Sequence, residues 1–216
     1  MTNENLFQEA QDDLERQKLE NLWKSYGGLL LALALTIVVA TAGYNFWDAQ
    51  NAKQNQKATG DLVALLNQAN TDQAKQVDAL EQFAKANDGK AQAAFAALHA
   101  GAMAAKDGKT DKAVQIYDAL AADAKADTAF RQLADLLTVE MQADTGDAAK
   151  LLQRLQPLMA ENAPWRFSAM EQGGYLALRS GDKAKAKGWF TELSQDASVP
   201  RSMSNRAADV LRLLGE

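Results

Sequence analysis

The chain has 216 residues, with 23 basic against 28 acidic side chains and a net charge of −5. This weakly acidic, mixed surface argues against nucleic acid as a partner, because binding to phosphates needs a basic patch. The absence of cysteine excludes disulfides and thiolate metal sites, and abundant alanine with only 3 prolines favours closely packed helices over strands.

The first predicted element is an acidic amphipathic segment over residues 1–26, which carries six acidic and three basic side chains. Apolar residues recur near helical spacing at Leu6, Ala10, Leu14 and Leu22, which predicts a short helix. A cleaved signal peptide would begin with a short basic region and end at a small-residue cleavage site, and this segment has neither. The anchor that follows is therefore expected to stay on the protein.

Residues 27–47 are the predicted transmembrane helix, since no charged side chain occurs among them. As a helix they span roughly 30 Å, the thickness of the hydrocarbon core of a bilayer. Aromatic residues flank both ends, as in segments that settle at two headgroup layers. A buried helix of a soluble core is the alternative. The residues expected to mark the anchor along its length are Gly27, Leu30, Leu35, Val39, Gly43 and Trp47.

The orientation of this segment is only weakly indicated by charge. Arg16, Lys18 and Lys24 precede it, and Lys53 and Lys57 follow it. Three basic residues against two give a small bias toward a cytoplasmic N-terminus and a translocated C-terminal domain. A soluble domain that faces the cytoplasm remains the alternative.

Residues 48–216 are predicted to form a tetratricopeptide-like helical repeat domain. Two segments share one pattern of glycine, alanine and aromatic residues at an offset of 73 residues, about twice a repeat of about 34. The first segment contains Gly101, Ala113 and Tyr117, and the second contains Gly174, Ala186 and Phe190. Two weaker units are expected at Ala79 with Phe83 and at Ala148 with Leu152. The four anchor alanines lie 34, 35 and 38 residues apart, although an irregular helical bundle is the alternative.

Helix packing explains why these residue types recur. Glycine in the first helix of a hairpin removes a side chain at the crossing, and a small alanine early in the second helix allows close approach. The aromatic residue one turn later fills the space beside them. These ten positions are therefore the predicted packing residues of the repeats.

Turn and end signals divide this domain into hairpins. Turns are expected at residues 107–109, 145–147 and 180–182, each of which contains an Asp and a Gly. Helix starts are expected at residues 71–72 and 162–164, with Pro164 at an early helical position. Residues 200–214 have a polar face and are predicted to be a terminal capping helix. The predicted fold is all-α: one transmembrane helix and then a tetratricopeptide-like α-solenoid with a C-terminal cap.

The segment before the span carries a resemblance to a known family. Residues 19–27 read Leu-Glu-Asn-Leu-Trp-Lys-Ser-Tyr-Gly, and an aromatic-ended span and weak repeats follow. The chain resembles the YfgM-like family of bacterial inner-membrane proteins, the ancillary subunits of the Sec translocon, and in particular its alphaproteobacterial branch. The resemblance implies a single N-terminal span in the inner membrane and a periplasmic repeat domain that engages the translocon and periplasmic chaperones.

Residues suited to catalysis or metal binding are sparse. His99 is the single histidine, and a lone imidazole without a second ligand or a nucleophile supports neither a metal site nor a catalytic base. Gly173 and Gly174 lack the glycines and lysine of a phosphate-binding loop. The run from Trp165 to Phe167 fits a partner-binding patch or, more simply, packing at a helix start. No enzyme activity and no cofactor are expected.

Two classes of function therefore remain. In the first, the protein is a membrane-tethered interaction scaffold, because stacked helical hairpins make a surface that binds peptides or folded partners. In the second, it is an envelope assembly protein that acts by self-association. A cytoplasm-facing, membrane-anchored adaptor is a third, weaker hypothesis.

Overall fold

The computed structural model describes residues 48–67 and 72–215. The chain divides into two compact units, residues 1–56 and residues 57–216. The predicted acidic segment and transmembrane helix lie outside the described residues, and of the first unit only residues 48–56 are described; they are helical and largely exposed. Within the described part of the chain, none of the helices combines the length and the apolar character needed to cross a bilayer.

The described residues form helices joined by short turns, and they include no strand. Residues 48–67 belong to helix α1. The helices that follow are α2 (Gln73–Ala86), α3 (Ala91–Lys106), α4 (Thr110–Ala122), α5 (Thr128–Gln142), α6 (Ala148–Leu155) with a 3₁₀ turn at Gln156–Met159, α7 (Arg166–Arg179), α8 (Lys183–Gln195) and α9 (Arg201–Leu213). The prediction of an all-α chain is confirmed for this region.

The second unit is a linear array of helical hairpins. From α2 to α9, each helix packs against the next one along the chain. Helix α3 also contacts α5, and α5 contacts α7, so these odd-numbered helices share one layer. Its core is correspondingly divided into three successive clusters, centred on α3 with α4, on α5 with α6, and on α7 with α8. This is the arrangement expected of a repeat protein, in which each unit contacts its neighbours.

Local sequence explains where the helices begin and end. Asp72, Asp127, Asp147 and Asp182 are N-caps, and each carboxylate accepts a backbone N–H bond from the first turn that follows. Gly108 and Gly181 adopt φ values of +74° and +84° in the predicted turns, a left-handed conformation that glycine adopts without strain.

Three predicted helix boundaries can be compared with the structure, and the start predicted at residues 71–72 is confirmed by Asp72 as the N-cap of α2. The prediction for Pro164 is wrong: α7 begins at Arg166 with Trp165 as its N-cap. The Arg166 N–H donates to the Ala163 carbonyl, which closes a turn that holds Pro164 outside the helix. The last helix agrees closely with its prediction, since Pro200 is its N-cap and Leu214 its C-cap.

One polar network joins three successive helices. Arg154 of α6 donates from Nε to Asp135 Oδ1 of α5 and from Nη2 to Asp118 Oδ1 of α4, both at 2.6 Å. The fully buried Thr138 hydroxyl donates to the same Asp118 oxygen at 3.1 Å. The network therefore connects α6 to both α5 and α4.

Candidate protein-interaction face

The two strongest repeat units contain the same crossing of glycine and an aromatic ring. A Cβ atom added at Gly101 of α3 would lie 2.6 Å from Cζ of Tyr117 in α4. A Cβ atom added at Gly174 of α7 would lie 2.6 Å from Cζ of Phe190 in α8. Both rings are buried. The 73-residue offset therefore corresponds to a repeated contact, in which an aromatic ring of the second helix lies directly over a glycine of the first helix.

The other predicted packing residues occupy two kinds of position. Ala113 and Ala186 are fully buried at the start of the second helix of their hairpins. Four residues of the weaker units are only partly buried, namely Ala79, Phe83, Ala148 and Leu152. In those units the buried positions are Val77 and Leu80 in α2 and Leu151 and Leu155 in α6. Phe83 and Leu152 still pack against the first and second core clusters, at the edge of the buried stripe.

Besides Leu213 at the end of α9, three large apolar side chains on odd-numbered helices are exposed. Val63 of α1, Phe95 of α3 and Tyr175 of α7 are 48%, 53% and 39% exposed. These three residues do not stand out in the sequence, because an exposed apolar residue and a core residue look alike in a helical pattern. We call the surface that they mark on α1, α3, α5 and α7 the odd-helix face.

A hydrogen bond joins α1 to α3 close to Val63 and Phe95. Gln92 Nε2 of α3 donates to Thr59 Oγ1 of α1 at 2.9 Å. Val63 follows Thr59 by about one helical turn, and Phe95 follows Gln92 by about one turn. Both exposed side chains therefore lie within about one turn of this bond between α1 and α3.

Helix α5 lies between α3 and α7 and carries three large apolar side chains that are partly buried. Its side chains Phe130, Leu137 and Met141 are partly buried and pack against the first core cluster. Each of them retains some accessible surface. Large, partly accessible apolar groups that are held by a rigid scaffold are typical of surfaces that bind other proteins.

Tyr175 stands at the other end of this face in a fixed environment. Its ring meets that of Phe190 edge to face, with centroids 5.3 Å apart. Glu171, one turn earlier, binds Arg206 of α9 through two hydrogen bonds of 2.8 Å. Burial, followed by the nearby Glu171 carboxylate, raises the pKa of Tyr175, so the neutral hydroxyl persists above the usual range. The residue offers an apolar ring and a hydrogen-bonding tip to a partner.

The run from Trp165 to Phe167 makes internal contacts. Trp165 Nε1 donates to the Ala129 carbonyl of α5 at 2.7 Å, and its ring packs against the second core cluster. Arg166 pairs with Glu192 of α8 and lies over the ring of Phe167 at 5.4 Å. The structure therefore favours packing at the helix start over a partner-binding patch.

The residues examined in the sequence for catalysis, phosphate binding or metal binding do not come together in the structure. His99 is exposed on α3, and Gly173 and Gly174 lie inside α7. Within residues 48–67 and 72–215, no group of three or more His, Cys, Asp or Glu side chains is placed to hold a metal ion.

Comparison with known proteins gives two matches. A family model described as "Tetratricopeptide repeat-like domain" matches residues 20–202, from within the predicted acidic segment to the start of α9. A protein of Haemophilus influenzae named "Ancillary SecYEG translocon subunit" is 25% identical over 196 residues, which cover 87% of this chain and 91% of that protein. No solved structure matches the chain. The two matches confirm the resemblance to the YfgM-like family, while the alphaproteobacterial branch stays a prediction.

Proposed function

Because this chain belongs to the tetratricopeptide repeat-like domain family, we propose that it is a non-catalytic, membrane-tethered scaffold for protein–protein interaction. Arrays of helical hairpins bind partners through extended surfaces of side chains on a rigid backbone. The observation that carries the proposal is the odd-helix face, where Val63, Phe95 and Tyr175 are exposed on helices whose other large apolar side chains are buried or partly buried.

The proposed partner is the Sec translocon. This proposal rests on the similarity to a protein named as an ancillary subunit of SecYEG, over nearly the full length of both chains. A tether in the inner membrane would confine the odd-helix face near the channel and raise its effective concentration there. The uncharged residues 27–47 are the proposed tether.

A second part of the proposal concerns the side of the membrane on which residues 48–216 lie and the polypeptides that they contact. With a cytoplasmic N-terminus, residues 48–216 would lie in the periplasm, where polypeptides emerge from the channel and chaperones receive them. Exposed apolar and aromatic groups suit transient contact with such chains, since they bury apolar area without demanding one partner sequence. The scaffold would then connect the translocon with periplasmic chaperones.

Site-specific photocrosslinking in cells tests the use of the odd-helix face. A photoreactive phenylalanine analogue replaces Phe95 or Tyr175 in the full-length chain, and crosslinked proteins are identified by mass spectrometry. The matched control is Gln153, an exposed residue of the even-numbered helix α6. We expect translocon or chaperone components at the first two positions and not at the third.

Other outcomes would contradict parts of the proposal. Crosslinks from Phe95 only to further copies of the chain would support envelope assembly by self-association. Equal yields from Phe95 and Gln153 would refute a specific role for the odd-helix face. A reporter that is active only in the periplasm, fused after Glu216, tests orientation, and its inactivity would refute the periplasmic placement in favour of a cytoplasm-facing adaptor.

A further inference from the structure

Three lysines give the start of α8 an excess of positive charge on a chain that is acidic as a whole. Lys183, Lys185 and Lys187 are all exposed. Between residues 182 and 189 they stand against one acidic side chain, that of Asp182, so this segment has a net charge of +2 while the whole chain has −5. A local excess of cations attracts an anionic partner whatever the overall charge of the protein.

The neighbouring carboxylates do not neutralise the first two of these lysines. Among the residues that the structure describes, neither Lys183 nor Lys185 forms an ion pair with a carboxylate. Asp182 is the N-cap of α8, and its carboxylate accepts the backbone N–H of Lys185 at 3.0 Å. Glu192, the next acidic residue of α8, is paired with Arg166 of α7. The ammonium groups of Lys183 and Lys185 are therefore available to a partner.

The equivalent hairpin shows that the packing of the repeat does not need this charge. At the offset of 73 residues, Lys183 of α8 corresponds to Thr110 of α4. Lys187 corresponds in the same way to Val114. Both helices nevertheless bury the same alanine and aromatic positions against the first helix of their hairpin. Since neutral residues support the same packing, the lysines of α8 serve its surface.

The lysines flank a row of small residues on the exposed side of α8. Lys183 and Lys187 are one turn apart and follow one edge of this side, and Lys185 lies at the other edge. The exposed Ala184 and Gly188 lie between the two edges. A Cβ atom added at Gly188 would meet nothing within 4 Å, although glycine is unfavourable inside a helix. The space above this glycine is therefore open to a backbone that approaches from outside.

We propose that this side of α8, which we call the α8 face, docks an acidic helix of a partner protein. The partner helix would pack along Ala184 and Gly188, and carboxylates on its two flanks would pair with the lysines at the two edges. Charged flanks on either side of a packed row are the arrangement by which two helices choose each other and their orientation. Helix α8 does not belong to the odd-helix face, so the scaffold can hold two proteins at once.

Fluorescence anisotropy with the full-length chain in mild detergent tests this proposal. The probe is a fluorescein-labelled helical peptide of Ala-Ala-Ala-Leu-Glu-Ala-Glu heptads, in which glutamates flank the row that would contact α8. In two matched probes, glutamine or lysine replaces every glutamate. We expect saturable binding of the acidic probe only, weakened severalfold as salt screens the exposed charges. The absence of such binding, equal binding of the glutamine probe, or tighter binding of the lysine probe would overturn the proposal.

Two variants connect this binding to the α8 face. Gly188→Leu covers the row of small residues and should weaken binding at least about tenfold, while the open space above Gly188 leaves the thermal midpoint undiminished. Lys183→Glu reverses one exposed charge and should weaken binding about fivefold. The matched controls are Gln115→Leu, at the position of α4 equivalent to Gly188, and Lys106→Glu on α3. Both positions are exposed, and both variants should leave binding unchanged.

The variants also separate this proposal from the proposed function. Gly188→Leu should leave photocrosslinking from Phe95 unchanged, because that residue lies on α3 and outside the α8 face. Binding of the acidic probe that survives both Gly188→Leu and Lys183→Glu would refute the α8 face as its site, whatever the crosslinking shows. Self-association that Lys183→Glu abolishes in analytical ultracentrifugation would overturn the proposal in favour of a second copy of the chain. Circular dichroism of each variant confirms that the helices are intact.

Discussion

Gly174→Ala tests the packing rule that relates the two strongest repeat units. In the interior of a helix this substitution ordinarily stabilises by about 1 kcal/mol, because alanine loses less backbone entropy than glycine. At Gly174 the added Cβ would lie 2.6 Å and 2.7 Å from Cζ and Cε2 of Phe190. Non-bonded carbon atoms do not approach so closely, and therefore the ring or the helix must move.

The net change in stability depends on how far the ring of Phe190 can move. Phe190 is fully buried, and Tyr175 lies edge to face against it, so the ring has little room to shift. Overpacking of this kind costs about 1–3 kcal/mol. After the gain of about 1 kcal/mol in helix propensity, we expect the free energy of unfolding to fall by about 1 kcal/mol. For a domain of this size the midpoint of thermal unfolding should drop by about 3 °C.

A matched control is available in the neighbouring helix. Gly188 of α8 is also helical, and a Cβ atom added there would meet nothing within 4 Å. Gly188→Ala should therefore stabilise by about 1 kcal/mol, opposite in sign to Gly174→Ala. Urea unfolding followed by circular dichroism measures both variants, and hydrogen exchange shows whether the change is confined to α7 and α8.

The refuting result is a stabilisation by Gly174→Ala equal to that by Gly188→Ala, since the ring would then not lie against the glycine. A double-mutant cycle gives a second check. Phe190→Leu shortens the side chain above Gly174, so the cost of Gly174→Ala should shrink in its presence by at least about 0.5 kcal/mol. Gly101→Ala should repeat the destabilisation, because Tyr117 covers Gly101 in the same way.

Three further substitutions have definite expected outcomes. Arg154→Ala should lower the free energy of unfolding, measured by urea titration, by about 1 kcal/mol, because it leaves the carboxylates of Asp118 and Asp135 without their shared guanidinium. As a control, Arg201→Ala at an exposed position should change this free energy by less than about 0.5 kcal/mol. Burial raises the pKa of Tyr117 above its ordinary value of 10.0, so the folded protein holds the hydroxyl proton more tightly than the unfolded chain does. The resulting contribution to the free energy of unfolding is present below pH 10 and is lost as the pH rises through the pKa of the folded state. Tyr117→Phe should therefore reduce the loss of unfolding free energy measured by urea titration above pH 10. Phe95→Ser should leave the thermal midpoint unchanged, because that side chain is 53% exposed, while it lowers the amount of partner that co-purifies with the full-length chain.

Local signals in the sequence predicted much of the fold. The helical class and the hairpin turns follow from alanine content and from aspartate and glycine at the turns, since helix propensity and capping depend on neighbours within one turn. The crossing of glycine and aromatic ring in two hairpins also corresponds to a spacing visible in the sequence. The transmembrane helix and the orientation remain predictions of the same local kind, from charge and length.

Burial was not predictable in the same way. Along α2 and α6 the sequence offers several apolar stripes, and only the neighbouring helices decide that Val77, Leu80, Leu151 and Leu155 are the covered ones. The helix start predicted at Pro164 is wrong for a related reason, since a turn closed by the Ala163 carbonyl holds Pro164 outside α7.

The candidate sites depend on the tertiary structure most of all. Nothing local distinguishes the exposed Phe95 from a core phenylalanine, or Lys183 from a lysine with an acidic partner. The sequence by itself determined that the chain is helical, that it contains repeats, and that it has an uncharged segment long enough to span a membrane. Only the packing of α1 against α3, and of α8 against α7 and α9, decided which side chains face a partner, because exposure depends on residues that are distant in sequence.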